Sequence, residues 1–284
     1  THGVKMANAA VNECDVLFLV GARVGDRAVK TPLALEKTTK IIHIDIDPAE
    51  IGKNIGADLP LVGDAKLVLQ QMTELAKPMK HDEWIAHIKT LGGERKYVEP
   101  AKGTVNPRVF IDKLAKKMPA NVTVVADVGQ NQIWTCTEYK FRKEGRLLTS
   151  GGMGTMGYSV PAAIGAKMAD DSRATVAICG DGAFQMSFME LATAVQFGVD
   201  IKVVVMTNNR LGMVRELQTN GYHDRQTAVF LDGSPDFIKL AEAYGIPAMR
   251  VYDDDTMEKG VEMLAEHKGI CLVEVVVDKD MPTL

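Results

Sequence analysis

The sequence predicts an α/β protein built on parallel sheets. Apolar β-rich runs alternate with helical patterns throughout the 284 residues, which is typical of parallel α/β architecture. The strand candidates are near-continuous apolar runs, as strands covered on both faces require. The hydrophobic fraction of 46% allows a sizeable core, and the length exceeds that of a usual single domain. We therefore expect two α/β domains.

Charge and hydropathy exclude two kinds of partner. The net charge is −4, acidic and basic residues are mixed, and no concentrated basic patch predicts nucleic-acid binding. No apolar run approaches the roughly 20 residues that cross a bilayer, so no membrane partner is expected. Four cysteines without a CxxC pair are typical of a reducing compartment, which predicts a cytoplasmic location. The chain enters a helix-then-strand pattern without an initiator Met, so we expect it to begin inside a domain.

The first part of the chain, residues 1–78, is predicted to be an incomplete α/β domain. Its pattern predicts strands over Asp15–Val20, Lys40–Ile46 and Leu59–Val62 and a helix over Ala65–Leu75. Residues 79–104 are rich in Lys, Pro, Glu and Gly and contain no strand pattern. We interpret them as a helical linker between domains.

The second part, residues 105–284, is predicted to be a complete doubly wound domain. It opens with Asn106 as a helix N-cap and Pro107 at the first helical position. The predicted strands are 122–126, 147–149, 175–179, 201–206, 249–251 and 271–277. The predicted helices are 109–118, 130–139, 156–168, 184–196, 236–243 and 257–266. This alternation indicates a parallel sheet with helices on both faces.

The strongest chemical signal lies at the ends of two of these strands. Gly180-Asp181-Gly182 follows one strand and Asn208 follows the next, and ligands of open α/β sheets bind at the carboxyl ends of strands. A carboxylate, an amide oxygen, a main-chain carbonyl and phosphate oxygens form a sensible set for Mg²⁺. Gly182, at a helix start, lets backbone N–H groups approach a phosphate. A lone GDG is also ordinary turn chemistry, so the pairing with Asn208 carries the prediction.

The segment from Gly180 to Val214 resembles the cofactor-binding motif of thiamine-diphosphate enzymes, which runs from GDG to a closing pair of asparagines. The resemblance implies metal ligands at Asp181, Asn208 and the main-chain oxygen of Arg210. Relatives usually have two asparagines ending at the ligand position, whereas here Thr207 precedes Asn208 and Asn209 follows it. Counting from either end of the motif selects Asn208.

A narrower resemblance, covering nearly the whole chain, is to the catalytic large subunits of the acetolactate synthase family. It rests on the blocks ADVGQNQIW, SGGMGTMGYSVPAAIGA, LGMVRELQ and IIHIDIDPAEIGKN. It implies that Met156 is the apolar wedge beneath a bent cofactor. The positions that the resemblance places around thiamine diphosphate are Val128, Gly129, Gln130, Asn131, Gly154, Met156, Asp181, Gly182, Ala183, Asn208, Leu211, Gly212 and Met213.

Two positions depart from the pattern of that family. Asn131 stands where many relatives have His, which alters the hydrogen bonding there. Leu217 stands where many have a Trp that shapes the pocket for the second 2-keto acid, a pocket to which Met213 and Leu217 are assigned. A preference for 2-oxobutyrate over pyruvate does not carry over to this chain, and herbicides that stack on the Trp should bind poorly.

The first part resembles the central, Rossmann-like domain of the family, which holds FAD in a structural role. Gly25 replaces a common Asp, and the segment GARVGDR lacks the full GxGxxG pattern, so a domain that no longer binds flavin stays an alternative. The matching positions are His2, Gly21, Ala22, Arg23, Arg27, Asp45, Ile46, Glu50, Asp64 and Ala65.

The resemblance implies condensation of two pyruvate molecules to 2-acetolactate and CO₂, or of pyruvate with 2-oxobutyrate, in branched-chain amino acid biosynthesis. It also implies a homodimer or tetramer, with a small regulatory subunit as a further partner. The glutamate that activates the cofactor belongs to an N-terminal domain that nothing in this sequence resembles, so the catalytic residue is not assigned and the chain alone is expected to be inactive.

Other interpretations stay open at this point. Pyruvate oxidases, glyoxylate carboligases and 2-keto-acid decarboxylases share the GDG and Asn signals. A catabolic acetoin role is a further option, although the flavin-like positions favour the biosynthetic one. A chain of another class, a non-catalytic nucleotide-binding or assembly module, would share the fold without the chemistry.

Overall fold

A computed structural model describes residues 3–25, 28–29, 32–92 and 97–283 of the chain, which divides into two compact units, Thr1–Arg95 and Lys96–Leu284. Within the described residues every pairing between named strands is parallel. The predicted α/β fold built on parallel sheets is confirmed for these residues. No helix in these ranges is long and apolar enough to cross a membrane.

The first unit is a three-stranded parallel sheet in the order β1-β2-β3. Its strands are β1 (Val16–Val20), β2 (Lys40–Asp45) and β3 (Leu59–Val62), and its helices are α1 (Lys5–Glu13), α2 (Pro32–Glu36), α3 (Ala65–Leu75) and α4 (Asp82–Thr90). The core lies between β1, β2 and α2, where Leu19, Leu35 and Ile41 are buried. Helix α4 falls within the predicted linker and packs against α1. The three-part division predicted from the sequence stays a prediction.

The second unit is a six-stranded parallel sheet in the order β5-β4-β6-β7-β9-β8. Its strands are β4 (Thr123–Ala126), β5 (Arg146–Thr149), β6 (Thr175–Gly180), β7 (Lys202–Thr207), β8 (Ala248–Val251) and β9 (Cys271–Val276). Its helices are α5 (Pro107–Lys117), α6 (Gln130–Glu138), α7 (Ser159–Ala169), α8 (Asp181–Gln185), α9 (Leu191–Gln196), α10 (Gly212–Gly221), α11 (Phe237–Ala243) and α12 (Asp254–Glu266).

Alternation along the buried strands distributes the core over both faces of this sheet. Val124, Ile178 and Val204 pack on one face with helices α5, α6 and α12. Their chain neighbours Val125 and Val205 pack on the other face with helices α7, α8, α9 and α11. Strands that are covered on both faces read as continuous apolar runs, which is why the four inner strands, β4, β6, β7 and β9, are recognisable in the sequence.

The helices differ from the prediction at three places. The predicted helix 184–196 is two short helices, α8 and α9, joined by a 3-10 turn over Phe188–Glu190. The helix predicted from residue 156 begins at Ser159, because Gly157 has a φ of +79° that a helix does not allow. Helix α10 was not predicted, because Gly212 and Gly221 at its ends lower its apparent helix propensity.

Candidate functional site

The predicted site residues lie where the strand order of the second sheet reverses. The chain runs from β4 outward to β5 and returns to β6 on the other side of β4. Helix α6, after β4, packs on one face, while α8 and α9, after β6, pack on the other. Such a reversal leaves a crevice outside the carboxyl ends of the two strands. Gly129 follows β4 at this crevice, and Asp181 directly follows the last residue of β6.

The carboxylate of Asp181 ties the ends of β6 and β7 together. It accepts the N–H of Gly182 at 2.8 Å on one oxygen, and the N–H groups of Asn208 and Asn209 at 3.1 and 2.6 Å on the other. Asp181 is only 2% exposed, and this burial raises its pKa to about 6 although the backbone donors act in the opposite direction. A nearby cation would favour the charged form of this carboxyl group.

The side chain of Asn208 faces Gln130. Its Nδ2 donates to Gln130 Oε1 at 3.1 Å, and its Oδ1 accepts the N–H of Arg210 at 3.1 Å. The backbone of Gly212 passes so close that a Cβ there would lie 1.8 Å from Gln130 Oε1 and 3.1 Å from Asn208 Nδ2. A side chain at position 212 would therefore displace the Gln130 amide, which hydrogen bonds to Met281 and Thr283 hold in place.

The loop after β7 is held by the segment 229–231. Leu211 N–H donates to the Val229 carbonyl at 2.9 Å, and Leu231 N–H donates to the Asn209 carbonyl at 3.0 Å. The carbonyl of Arg210 takes no part in the two hydrogen bonds of this antiparallel bridge. Asn209 has a φ of +54° and an exposed side chain, so it contributes its backbone to the site. The Asn208 side chain, by contrast, is hydrogen-bonded to Gln130, and the choice of Asn208 as the ligand stays a prediction.

An apolar group forms the other wall of the crevice. A Cβ on Gly182 would lie 2.7 Å from Leu211 Cδ2, 3.2 Å from Leu231 Cδ1 and 3.5 Å from Met156 Cε. The structure therefore brings Met156 and Leu211 together beside Gly182. Leu231 was not predicted, because only the fold brings its segment back to the motif.

Asp127 is a second residue that the sequence prediction missed. Its fully buried carboxylate accepts the N–H groups of Val128, Gly157 and Ser159 at 2.8, 3.1 and 2.8 Å. It thereby fastens the segment that follows Met156 to the end of β4. Asn131 adds to this junction, because its Nδ2 donates to the carbonyls of Asp127 and Ile178 at 2.8 and 3.2 Å. A carboxylate directly after a buried strand was the only signal in the sequence.

The remaining predicted positions lie around this arrangement. Gly129 caps the start of α6 with a φ of +144°, and Ala183 is buried within α8. The N–H of Gly154 donates to the Ser150 carbonyl at 2.9 Å. Met213 and Leu217 lie on α10, where the Leu217 side chain is 61% exposed. The structure thus does not enclose Leu217 within the described residues of this chain.

The predicted flavin positions fall on the first unit, where the carboxyl ends of three parallel strands meet. Gly21 follows β1 with a φ of +59°, Asp45 ends β2, and Asp64 caps α3 by accepting the Leu67 N–H at 3.1 Å. Glu50 pairs with Lys53 at 2.7 Å, and Ile46 is 70% exposed. His2 and Arg27 lie outside the described residues. Ala22, Arg23 and Ala65 occupy the same strand-end region.

The donor set of the second unit fits a divalent cation that also binds phosphate. One carboxylate, one amide oxygen and one main-chain carbonyl, from Asp181, Asn208 and Arg210, are hard oxygen donors. The described residues contain no group of three or more His, Cys, Asp or Glu that could hold a metal without further ligands. Phosphate oxygens or water molecules would complete the coordination shell.

Comparison with known proteins identifies the family. Residues 127–275 match the family model described as thiamine pyrophosphate enzyme, C-terminal TPP binding domain. The chain belongs to the thiamine pyrophosphate enzymes. Residues 1–72 match the model of the central domain of the same enzymes. Thiamine pyrophosphate is the same compound as thiamine diphosphate, so the resemblance read from the GDG motif is confirmed.

The narrower resemblance to acetolactate synthases is also confirmed. The chain is 39% identical to a probable acetolactate synthase large subunit of Methanocaldococcus jannaschii, over 98% of this chain and 49% of that protein. It is 36% identical to the acetolactate synthase large subunit of Lactococcus lactis, over 98% and 48%, and 35% identical to isozyme 2 of Escherichia coli, over 98% and 50%. The chain spans about half the length of the curated relatives it matches.

The close approach of Gly212 generates a prediction. Gly212→Ala should weaken binding of thiamine diphosphate with Mg²⁺ at least tenfold, because the added Cβ displaces Gln130 and breaks its hydrogen bond to Asn208. Isothermal titration calorimetry measures this. The matched control is Gly221→Ala at the other end of the same helix, where nothing lies within 4 Å of the new Cβ. Equal affinities for the two variants would contradict the prediction.

Proposed function

We propose that this chain is the thiamine-diphosphate- and Mg²⁺-binding part of an acetolactate synthase, which condenses two 2-keto acids to a 2-acetohydroxy acid and CO₂. The observation that carries the proposal is that the Asp181 carboxylate, directly after β6, accepts the backbone N–H groups of Gly182 and of Asn208, which follows β7, in a thiamine pyrophosphate enzyme domain. The similarity to acetolactate synthase large subunits over 98% of the chain supports the reaction class.

The proposed ligands of Mg²⁺ are the carboxylate of Asp181, the Oδ1 of Asn208 and the carbonyl of Arg210. The diphosphate would approach the N-terminus of α8 at Gly182 and Ala183 and the turn at Val128–Gly129 before α6, where backbone N–H groups and the helix dipole favour an anion. Gln130 and Asn131 orient the metal-ligand side chain and the β4 turn, respectively. The bound cofactor supplies an electron sink for decarboxylation of pyruvate.

The apolar residues would position the rings of the cofactor. Met156 and Leu211 lie beside Gly182 and would support a bent cofactor from below, and Gly154 and Gly212 are proposed to line it. Met213 and Leu217 on α10 are proposed to face the second 2-keto acid. With Leu rather than an aromatic ring at position 217, we propose pyruvate as the second substrate.

We further propose FAD as a ligand of the first unit and a homodimer or tetramer as the assembly, with a small regulatory subunit as partner. Three parallel strands ending side by side suit a nucleotide, and Gly21 and Asp64 lie at those ends. Flavin absorbance of the purified protein tests the proposal that the first unit binds FAD.

The metal site is tested by removing its carboxylate. Asp181→Ala should reduce the affinity for thiamine diphosphate with Mg²⁺ at least a hundredfold, since both a metal ligand and three backbone hydrogen bonds are lost. Calorimetry measures the affinity, and Asp255→Ala, which removes an exposed carboxylate of α12, serves as the control. Equal binding by wild type and Asp181→Ala would remove support for the site and favour a non-catalytic module.

The raised pKa of Asp181 predicts a pH-dependent affinity for the metal. Because the pKa is about 6, the carboxyl group is charged at pH 7.5 and mostly protonated at pH 5.0, where a proton competes with Mg²⁺. The affinity for Mg²⁺ alone should fall about tenfold between these values. The diphosphate is left out of the titration because phosphate groups titrate in the same range. In Asp181→Asn the pH dependence should vanish, and a wild-type affinity that does not change with pH would refute the prediction.

The reaction class is tested with the intact enzyme that contains this chain. Supplied with pyruvate, thiamine diphosphate and Mg²⁺, it should release 2-acetolactate and CO₂. Acetaldehyde as the product would indicate a 2-keto-acid decarboxylase, and acetyl phosphate a pyruvate oxidase. Either of these products in place of acetolactate would contradict the assignment to acetolactate synthase.

A further inference from the structure

The segment that follows β9 reaches the amide side chains of the proposed metal site. Gln130 Nε2 donates to the carbonyl of Met281 at 2.9 Å and to Oγ1 of Thr283 at 3.1 Å. Trp134 Nε1 donates to the carbonyl of Pro282 at 3.2 Å. Met281 and Thr283 are buried, so these hydrogen bonds form away from water, where leaving a polar group unpaired is most costly.

Glu216 of α10 holds the same segment from the other side. Its carboxylate accepts the backbone N–H of Thr283 at 2.6 Å and also accepts the Thr283 hydroxyl. A glutamate carboxylate at neutral pH has acceptors only, so the hydrogen of this hydroxyl points to Glu216. The lone pairs of Thr283 Oγ1 are thus left to accept from another donor.

The direction of donor and acceptor in this bond also determines the orientation of two amide side chains, those of Gln130 and Asn208. Thr283 Oγ1 accepts from the NH₂ group of Gln130, which turns the Oε1 of Gln130 towards Asn208. That oxygen accepts from the NH₂ group of Asn208, which leaves the Oδ1 of Asn208 on the side of the Arg210 N–H. The Gln130 amide is oriented by Thr283 Oγ1 together with the Met281 carbonyl, Gln130 in turn orients the Asn208 amide, and the series ends on the carboxylate of Glu216.

We propose that Glu216 and Thr283 are positioning residues that fix which atom of the Asn208 amide is presented to the cation. The inference rests on the proposed function, in which Asn208 Oδ1 is a ligand of Mg²⁺. An amide turned the other way would present its NH₂ group, which carries no lone pair for a metal and repels it. Both residues lie outside the motif that runs from Gly180 to Val214. They act on Asn208 through Gln130.

The test compares variants that keep shape but change hydrogen-bond polarity. Thr283→Val removes the hydroxyl, and Glu216→Gln introduces a donor where only acceptors stood. Each should weaken the affinity for Mg²⁺ with thiamine diphosphate about tenfold in calorimetry, the equivalent of one lost hydrogen bond. Thr283→Ser should restore wild-type affinity, because it keeps the hydroxyl. Glu262→Gln, on the exposed face of α12, is the control for the change in charge.

The outcomes separate this inference from the proposed function. A wild-type chain that does not bind the cofactor with Mg²⁺ contradicts the proposed function itself. A wild-type chain that binds, with Thr283→Val and Glu216→Gln binding equally well, overturns the positioning role alone. Melting temperatures without ligand are measured in parallel, and weaker binding with an unchanged melting temperature supports positioning rather than a loss of fold. If Thr283→Val does not fold, Glu216→Gln decides the question by the same criterion.

Discussion

The buried carboxylate of Asp181 is the interaction on which the rest of the site depends. It lies at the end of β6 and binds backbone N–H groups of α8 and of the loop after β7, so it fixes the separation of two strand ends. Three donors do not fully offset the loss of water, as the rise of its pKa to about 6 indicates. The fold therefore keeps a negative charge that a cation on the open side of the crevice would compensate better than the protein does.

The sequence was sufficient for those parts of the fold that repeat a local pattern. All six strands of the second sheet were predicted to within about two residues, and the four inner ones read as apolar runs because they are covered on both faces. The proximity of Asp181 and Asn208 followed from the same reasoning, since both stand at the carboxyl ends of parallel strands that are adjacent in the sheet. Helix limits were less predictable where a glycine lies at an end, as in α10.

The parts that could not be predicted are contacts between distant segments. Asp127 binds the N–H groups of Gly157 and Ser159, and Thr283 is linked to Glu216. A carboxylate that accepts backbone N–H groups imposes no residue type on its partners, so no pattern in the sequence records the bond. Such residues are nevertheless buried and polar, and the structure reveals them because most buried polar atoms have a hydrogen-bond partner.

Gly182 and Gly212, the two motif glycines at the crevice, are required for different reasons. Gly182 was assigned from the sequence to the approach of a phosphate to the helix N-terminus. In the structure a side chain at Gly182 would also meet Leu211 and Met156, so the same glycine lets the apolar wall close against α8. Gly212 lies against an amide oxygen of Gln130, so its missing side chain protects a polar bond. The apolar wall and the amide series thus each depend on one hydrogen atom in place of a side chain.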